Sequence, residues 1–292
     1  MRIAIHGPGS IGSTFAFHLS RAGHDVCVIA RTTRLAQLEA DRAILTTSGL
    51  RAPITPLPAL APDDVFDLVL VTVLASQVDA VLPALTANAS KRVMFMFNAF
   101  NGLPALRDAV GRERFAWGFP AVIASLVDGK LASQVVPRAM AALQITTVGG
   151  LADFAPPGLD DLARTFSAAG IPTVVHPDME SWLRTHAAFM VPLMLSGVRP
   201  LAWTEARALA LRMKEGFALV RRLGQRVTPF GMGVMAGLPR VVINCLLWVI
   251  SRSQAGKALG AGEVEARWLG EEMKKSGPSP WPSPRTRGEG IA

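Results

Sequence analysis

A glycine string near the start of the chain constrains the fold most strongly. GPGSIG, residues 7–12, follows a strand pattern over Ile3–His6 and opens a helix pattern that runs through Arg21. In this context a G-x-G-x-x-G string is typical of dinucleotide binding. The first glycine makes a tight turn, the second lets the backbone approach a pyrophosphate, and the third lets the helix pack closely on the strand. A tight turn without a ligand is the alternative interpretation.

The helix that follows this string supplies free N–H groups and a partial positive charge, which favour phosphate binding. The residues predicted to bind the cofactor here are Gly7, Pro8, Gly9, Ser10, Ile11 and Gly12.

The first half of the chain alternates strand patterns with helical patterns. Strands are predicted over Val26–Ala30, Asp67–Val73 and Val93–Phe97, with a late edge strand over Gln144–Val148. Alternation of this kind is typical of repeated βαβ units around a parallel sheet. The predicted fold class is α/β, with a Rossmann-type doubly wound N-terminal sheet followed by an all-helical C-terminal domain.

Beyond Val175 the strand alternation gives way to apolar residues at 3.6-residue spacing. Helices are predicted over Met179–Val198, Leu201–Leu223, Leu238–Gln254 and Gly262–Lys274. We therefore expect a dinucleotide-binding domain over residues 1–172 and a helical substrate or dimerisation domain over 178–275. The last segment, 276–292, contains four prolines and no apolar period, so we expect it to be disordered.

Composition excludes several classes of protein. Half of the 292 residues are apolar and 18% are charged, which excludes a disordered chain. The apolar runs Ala187–Val198 and Val241–Ile250 are shorter than the roughly 20 residues of a membrane-spanning helix. The start of the chain fits no secretory signal, and the two cysteines lie in apolar runs, so a cytoplasmic location is expected.

Two residue types further limit the chemistry. The five histidines show no metal-ligand spacing with the cysteines, so no metal site is expected. The chain contains no tyrosine, which excludes a mechanism with a tyrosine proton donor.

The formal net charge of +8 raises the question of nucleic-acid binding. Between Arg199 and Arg226 the basic residues share a helical period with apolar residues, so they are most simply the solvated face of a helix. No nucleic-acid motif accompanies them. An anionic cofactor or substrate accounts for the charge better than nucleic acid or anionic lipid does.

Arg31 stands nineteen residues after Gly12, at the end of the second predicted strand. An NAD-specific site would place Asp or Glu there, against the ribose 2′-hydroxyl. A guanidinium can instead bind a 2′-phosphate with two hydrogen bonds, so NADP (NADPH) is predicted over NAD. A surface arginine at a strand end is the alternative.

These segments together resemble a known family. The string GPGSIG, the segment GHDVCVIAR, the strand LVLVTV leading to Gln77 and the helix start at Trp182 are similar to those of the ketopantoate reductase (2-dehydropantoate 2-reductase) family, over roughly residues 1–274. The resemblance implies NADPH-dependent reduction of a small 2-keto acid to a 2-hydroxy acid, as in pantothenate biosynthesis. It also implies that cofactor and substrate bind between the two domains.

The resemblance also implies two site residues. Asn98 matches the family asparagine beside the nicotinamide and substrate, and an amide at the carboxyl end of a strand can both donate and accept hydrogen bonds there. Asn101 is its rival, although Asn101-Gly102 also reads as a turn. Glu263 corresponds to the family glutamate near the cofactor ribose, or is simply an acid favoured at a helix start.

Three positions depart from the family pattern. Leu74 replaces a lysine after the LVTV-type strand, Arg184 replaces the catalytic lysine, and Ala188 replaces an asparagine. Arginine keeps its proton and so cannot donate it to an alkoxide. We expect Arg184 and Asn98 to hold the substrate. The alternative is an NADP-binding family member with weak or lost catalysis.

His186, which lies two residues after Arg184, is the nearest substitute proton donor. It is more simply a packing residue, because the two side chains face roughly opposite sides of the helix. A homodimer is possible.

Overall fold

The computed structural model describes residues 1–137, 145–196, 199–253 and 263–276. The chain divides into two compact units, Met1–Glu180 and Ser181–Ala292.

The first unit is built on an eight-stranded sheet. Its strands are β1 (Arg2–His6), β2 (Asp25–Ile29), β5 (Thr55–Leu57), β6 (Leu68–Val71), β7 (Val93–Met96), β8 (Phe115–Phe119), β11 (Thr146–Gly149) and β12 (Thr173–His176). Their order is β12-β11-β8-β7-β6-β1-β2-β5, and the pairs are parallel except for β11 with β8. Strands β6 and β7 are buried along their whole length, which explains their uninterrupted apolar sequences.

Helices connect these strands. They are α1 (Ser10–Arg21), α2 (Thr32–Asp41), α3 (Val78–Ala87), α4 (Leu103–Val110) and α5 (Leu159–Ala168). Phe15 of α1 and Phe166 of α5 meet edge to face in the core, with ring centroids 5.3 Å apart. In the order β6-β1-β2, the chain continues from β1 to one side of the sheet and later returns to the other side, so β1 lies at the topological switch point. Open α/β sheets bind ligands at this point, beyond the carboxyl ends of the strands.

The prediction that Gln144–Val148 forms an edge strand is wrong, because the strand lies in the interior of the sheet. β11 lies between β12 and β8, and the sheet ends at β12 and β5. Its two threonines, Thr146 and Thr147, are buried with their hydroxyls paired, as in an interior strand. Thr147 Oγ1 donates to Ile145 O (2.9 Å), and Thr146 Oγ1 accepts from Ala121 N (3.1 Å). Gln144, its predicted first residue, lies outside the described residues.

Two hairpins complete the first unit. β3 (Ala43–Leu45) pairs with β4 (Arg51–Pro53), and β9 (Val122–Val127) pairs with β10 (Lys130–Val135), both antiparallel. The β9–β10 turn is Asp128-Gly129, and both residues have positive φ, as a two-residue hairpin turn requires. Leu131 of β10 is buried in the core of the unit.

The second unit is helical in its described part. Its helices are α6 (Met179–Ser196, which starts two residues before the unit), α7 (Trp203–Arg222), α8 (Phe230–Gly237), α9 (Arg240–Ile250) and α10 (Glu263–Lys275). Lys214 of α7 donates to the carbonyl oxygens of Ala236 and Leu238 (2.8 Å each) and so holds the end of α8. The predicted fold class is therefore confirmed.

The sequence prediction included helices at α6, α7, α9 and α10 but not at α8, whose glycines lower its helix propensity. In the described residues, no single helix has the length and apolarity needed to cross a membrane. Helices α8 and α9 pass such a test only together, as a pair bent by 117°.

Candidate cofactor-binding site

The three glycines of the string occupy three different environments. Gly7 has φ +96°, and a Cβ built there would lie 2.8 Å from Val73 Cγ1. A Cβ at Gly12 would overlap the carbonyl oxygen of Gly7 and the hydroxyl of Thr72. At Gly9, by contrast, no atom lies within 4 Å of the Cβ position. The first and third glycines are therefore required by packing, whereas the second faces open space.

That open space lies at the N-terminus of α1. Gly9 is the N-cap residue and offers no side-chain cap, and the first turn contains no acidic side chain. Ser13 N donates to Gly9 O (2.9 Å) and begins the helical hydrogen-bond pattern. The N–H groups of Ser10 and Ile11 precede this bond and have no carbonyl four residues earlier within the helix. They are available to an anion that approaches Gly9.

A cleft of about 460 Å³ opens beside the glycine loop, within the first unit. It is lined by the loop, by Ala30, Arg31 and Arg34 after β2, by Thr72, Val73, Leu74 and Gln77 after β6, and by Leu126 of β9. Both neighbours of β1 thus contribute residues from their carboxyl ends, which is where the topology predicts a ligand.

Arg31 and Arg34 are the two cationic residues of this cleft. Arg31 is exposed and is the N-cap residue of α2. Arg34 is half-buried against the glycine loop, where Nε donates to Pro8 O (3.2 Å) and Nη2 donates to Ser13 Oγ (2.9 Å). Arg34 was not among the residues predicted to bind the cofactor. Its place in the first turn of α2, three residues after Arg31, was the available signal.

His6 ends β1 directly before the loop and is 6% exposed. Its Nδ1 has no hydrogen-bond partner among the described residues. Burial, and secondarily the charge of Arg31, lowers the pKa of His6 to about 4. The imidazole is therefore neutral at pH 7 and adds no charge to the cleft.

Comparison with known proteins agrees with this geometry. The family model for ketopantoate reductase PanE/ApbA matches residues 3–135, which contain the glycine loop and all residues that line the cleft. A 2-dehydropantoate 2-reductase of Vibrio cholerae serotype O1 is 28% identical over 195 residues. That match covers 63% of this chain and 58% of the length of the Vibrio protein.

Residues 3–135 of this chain are similar to the ketopantoate reductase family.

Solved structures agree with this family fold. A PanE/ApbA family ketopantoate reductase from Ralstonia eutropha JMP134 has a TM-score of 0.66 at 19% identity, covering 94% of this chain and 98% of that one. D-mandelate dehydrogenase, solved with NADH and anilino(oxo)acetate, has the same TM-score at 17% identity and covers the same shares of both chains.

The first unit, which contains the segment similar to this family, also carries Leu74 and Asn98. Leu74 lines the cleft and is 52% exposed, so an apolar side chain occupies the place of the expected lysine. Asn98 is half-buried, two residues beyond the end of β7, and is not among the residues that line the cleft. Gly102, with φ +88°, is the N-cap residue of α4, so Asn101-Gly102 forms the turn into that helix.

Arg184 and Ala188 lie on α6 in the second unit. Arg184 is half-buried. Ala188 is fully buried where α6 meets α7, and a Cβ built on Gly216 of α7 would lie 2.9 Å from the Ala188 Cβ. An amide side chain does not fit between helices at this distance, so the family asparagine is replaced by a packing residue.

His186 stacks on Trp182 one helical turn earlier, with ring centroids 5.2 Å apart and an interplanar angle of 11°. Burial lowers the pKa of His186 to about 3. This histidine therefore carries no dissociable positive charge at neutral pH, which argues against it as a general acid.

Glu263 is the first residue of α10, and its side chain lies outside the described residues. In the part of the chain that the structure describes, no group of three or more His, Cys, Asp or Glu residues is arranged to hold a metal ion.

Proposed function

We propose that this chain binds NADPH at the glycine-loop cleft and reduces a small 2-keto acid to the 2-hydroxy acid. The observation that carries the proposal is the open space at Gly9, which lies in sequence between two glycines that packing requires and is the N-cap residue of α1. The similarity of residues 3–135 to the ketopantoate reductase family supports the reaction class.

The cofactor's phosphates fit the residues present. The N–H groups of Ser10 and Ile11 would hold the pyrophosphate, and the absence of an acid in the first turn of α1 removes a source of repulsion. Arg31 would bind the 2′-phosphate, because its exposed guanidinium borders the same cleft. An acidic residue, which would favour NADH, is missing at this position.

When bound, the cofactor supplies the hydride that reduces the keto carbon. Asn98 would orient the reacting groups through its amide, and Arg184 would bind the substrate carboxylate with its planar guanidinium. Arg184 can also stabilise charge that develops on the keto oxygen by hydrogen bonding. It cannot protonate that oxygen, so the proton comes from a group other than position 184.

A thermal-shift screen tests this function without requiring turnover. NADPH, NADH and NADP would each be combined with a set of small 2-keto acids. Ligand that binds only the folded state raises the melting temperature by mass action. We expect NADPH to raise it most, with a further rise from one class of keto acid. No rise with any nicotinamide cofactor would contradict the proposal.

A second candidate is an NADP-binding family member with weak or lost catalysis. The contact between Ala188 and Gly216 favours it, because the helix pair has closed over the position of a family site residue. Cofactor affinity would then persist without efficient turnover. Single-turnover measurement with NADPH and ketopantoate separates the two candidates, since only the first predicts rapid oxidation of the bound cofactor.

We also propose that residues 1–172 bind the cofactor, that residues 178–275 bind substrate, and that the latter form a homodimer. One face of α9 carries Val241, Val242, Cys245, Leu246 and Val249, all exposed and none charged. Such a stripe is self-complementary around a two-fold axis. Light scattering on the intact protein would show a dimer that Val241→Glu dissociates. A monomer at all concentrations would contradict the proposed homodimer.

The cytoplasmic location stays a prediction.

A further inference from the structure

Arg34 makes four hydrogen bonds, all to uncharged acceptors. Nε donates to Pro8 O (3.2 Å), Nη2 to Ser13 Oγ (2.9 Å), and Nη1 to both Gly129 O (2.9 Å) and Gln37 Oε1 (2.8 Å). Four of the five N–H donors of the guanidinium are therefore used. A side chain held at four points has little freedom to swing toward a ligand, so its position is set by the fold.

These bonds join two parts of the first unit that are distant in sequence. Pro8 lies in the glycine loop and Ser13 directly follows it, and Ser13 Oγ itself donates to Pro8 O (3.1 Å). Gly129 belongs to the β9–β10 turn, three residues after Leu126, which lines the cleft. Through Arg34 the hairpin is attached to the loop, and Leu126 is held in place as part of the cleft wall.

Arg34 forms no ion pair with a carboxylate among the described residues. Burial lowers the pKa of its guanidinium, and the charge of Asp41 offsets this only in part. A half-buried cation without an anionic partner is costly, and an anion beside Gly9 would compensate it. Because Pro8 directly precedes Gly9, such an anion would lie close to Arg34.

We propose that Arg34 is a positioning residue for the pyrophosphate of the cofactor: it fixes the glycine loop, docks the β9–β10 hairpin as a wall of the cleft, and adds a fixed positive charge. This rests on the proposed function. The pyrophosphate is common to NADPH and NADH, so Arg34 acts equally on both. Arg31, which is exposed and would read only the 2′-phosphate, acts on NADPH alone.

The test is a fluorescence titration of the intact protein with NADPH and with NADH. Wild type is compared with Arg34→Met, Arg34→Lys and Arg31→Met. We expect Arg34→Met to raise Kd for both cofactors by a similar factor, about 10- to 100-fold from the loss of charged hydrogen bonds. The ratio of the two Kd values then stays as in wild type. Arg34→Lys keeps the charge and should recover part of the affinity.

A second variant probes the hairpin while leaving the charge in place. Gly129 has φ +73°, and a Cβ there would overlap the Gln37 side chain that shares Arg34 Nη1. Gly129→Ala should therefore weaken both cofactors. Gly49→Ala is the matched control, because Gly49 lies in the β3–β4 turn with φ +84° and has no atom within 4 Å of its Cβ position.

Each other outcome overturns the inference. If Arg34→Met lowers the melting temperature of the free protein but leaves both Kd values unchanged at a temperature where it is folded, its role is structural only. If the variant weakens NADPH alone, Arg34 reads the 2′-phosphate and does not position the pyrophosphate. Failure of wild type to bind either cofactor would instead remove the proposed function itself.

Discussion

Ala188 and Gly216 bring α6 and α7 so close that a Cβ on Gly216 would lie 2.9 Å from that of Ala188. Ala188 is fully buried, so neither helix can accept a larger side chain without moving. The departure from the family pattern at position 188 is therefore part of a packed helix pair.

Gly216→Ala tests this packing. Overpacking of a close helix contact typically costs about 1–3 kcal/mol of the free energy of unfolding. We expect a loss in that range by urea denaturation. Gly237→Ala, at the exposed end of α8 with no atom within 4 Å of its Cβ position, is the control and should change stability little. Equal losses of unfolding free energy in the two variants would show that α6 and α7 leave room for a side chain at position 216.

Arg184→Lys tests how far the absence of a lysine proton donor at position 184 lowers kcat. A lysine can supply the proton that an arginine retains, and general acid catalysis contributes about 10²–10⁴-fold. We expect kcat for ketopantoate reduction to rise by at least the lower factor, while Kd for NADPH stays constant because Arg184 is not among the residues that line the glycine-loop cleft. Ala188→Asn, which does not fit against α7, should give no gain. An unchanged kcat in Arg184→Lys would point to another substrate or to a lost activity.

Arg31→Asp tests cofactor selection. The carboxylate would repel a 2′-phosphate and could accept a hydrogen bond from a ribose 2′-hydroxyl. Aspartate is also a favourable N-cap residue, so α2 should fold normally. We expect Kd for NADPH to rise by roughly 100-fold and Kd for NADH to stay constant or fall. Parallel weakening of both cofactors would argue that Arg31 does not contact the 2′-phosphate.

The buried histidines predict an acid-sensitive fold. His186 has a pKa of about 3 in the folded chain, well below its ordinary value of 6.5. Between these values the unfolded chain binds the extra proton and the folded chain does not, so stability is complete above pH 6.5 and is lost as the pH falls. For this residue the loss between pH 7.5 and pH 5 is about 2 kcal/mol.

His186→Phe keeps a ring against Trp182 and removes the titrating group. Urea midpoints at pH 7.5 and pH 5 should differ less in this variant than in wild type. His6, with a pKa of about 4, contributes a similar slope that the variant retains. Identical pH dependence in the two proteins would contradict the assignment to His186.

Local sequence signals were sufficient for the first βαβ unit and for the buried strands. The glycine string follows a strand and opens a helix, and β6 and β7 are continuous apolar runs, so the alternation of strand and helix patterns was sufficient to predict the fold class. The hairpin was absent from the sequence prediction although Asp128-Gly129 carries a strong turn signal. The interior position of β11 could not be predicted from the sequence, because the hydroxyls of its threonines find their hydrogen-bond partners only in the folded chain.

The site was predicted less completely than the fold. The role of Arg34 depends on Gly129, 95 residues away, and no local pattern connects the two. The packing role of Ala188 likewise depends on Gly216, which lies in another helix. Periodicity and motif spacing describe only neighbours along the chain, so they cannot identify residues that act through partners distant in sequence.

Titration of wild type and Gly9→Val with NADPH tests whether the space at Gly9 holds the pyrophosphate of the cofactor. Gly9 has φ −68° and open space at its Cβ position, so valine should be tolerated by the fold while its side chain fills the place of the pyrophosphate. The account predicts saturable binding to wild type and little or none to a folded Gly9→Val. No binding to wild type, or equal binding to both proteins, would contradict it.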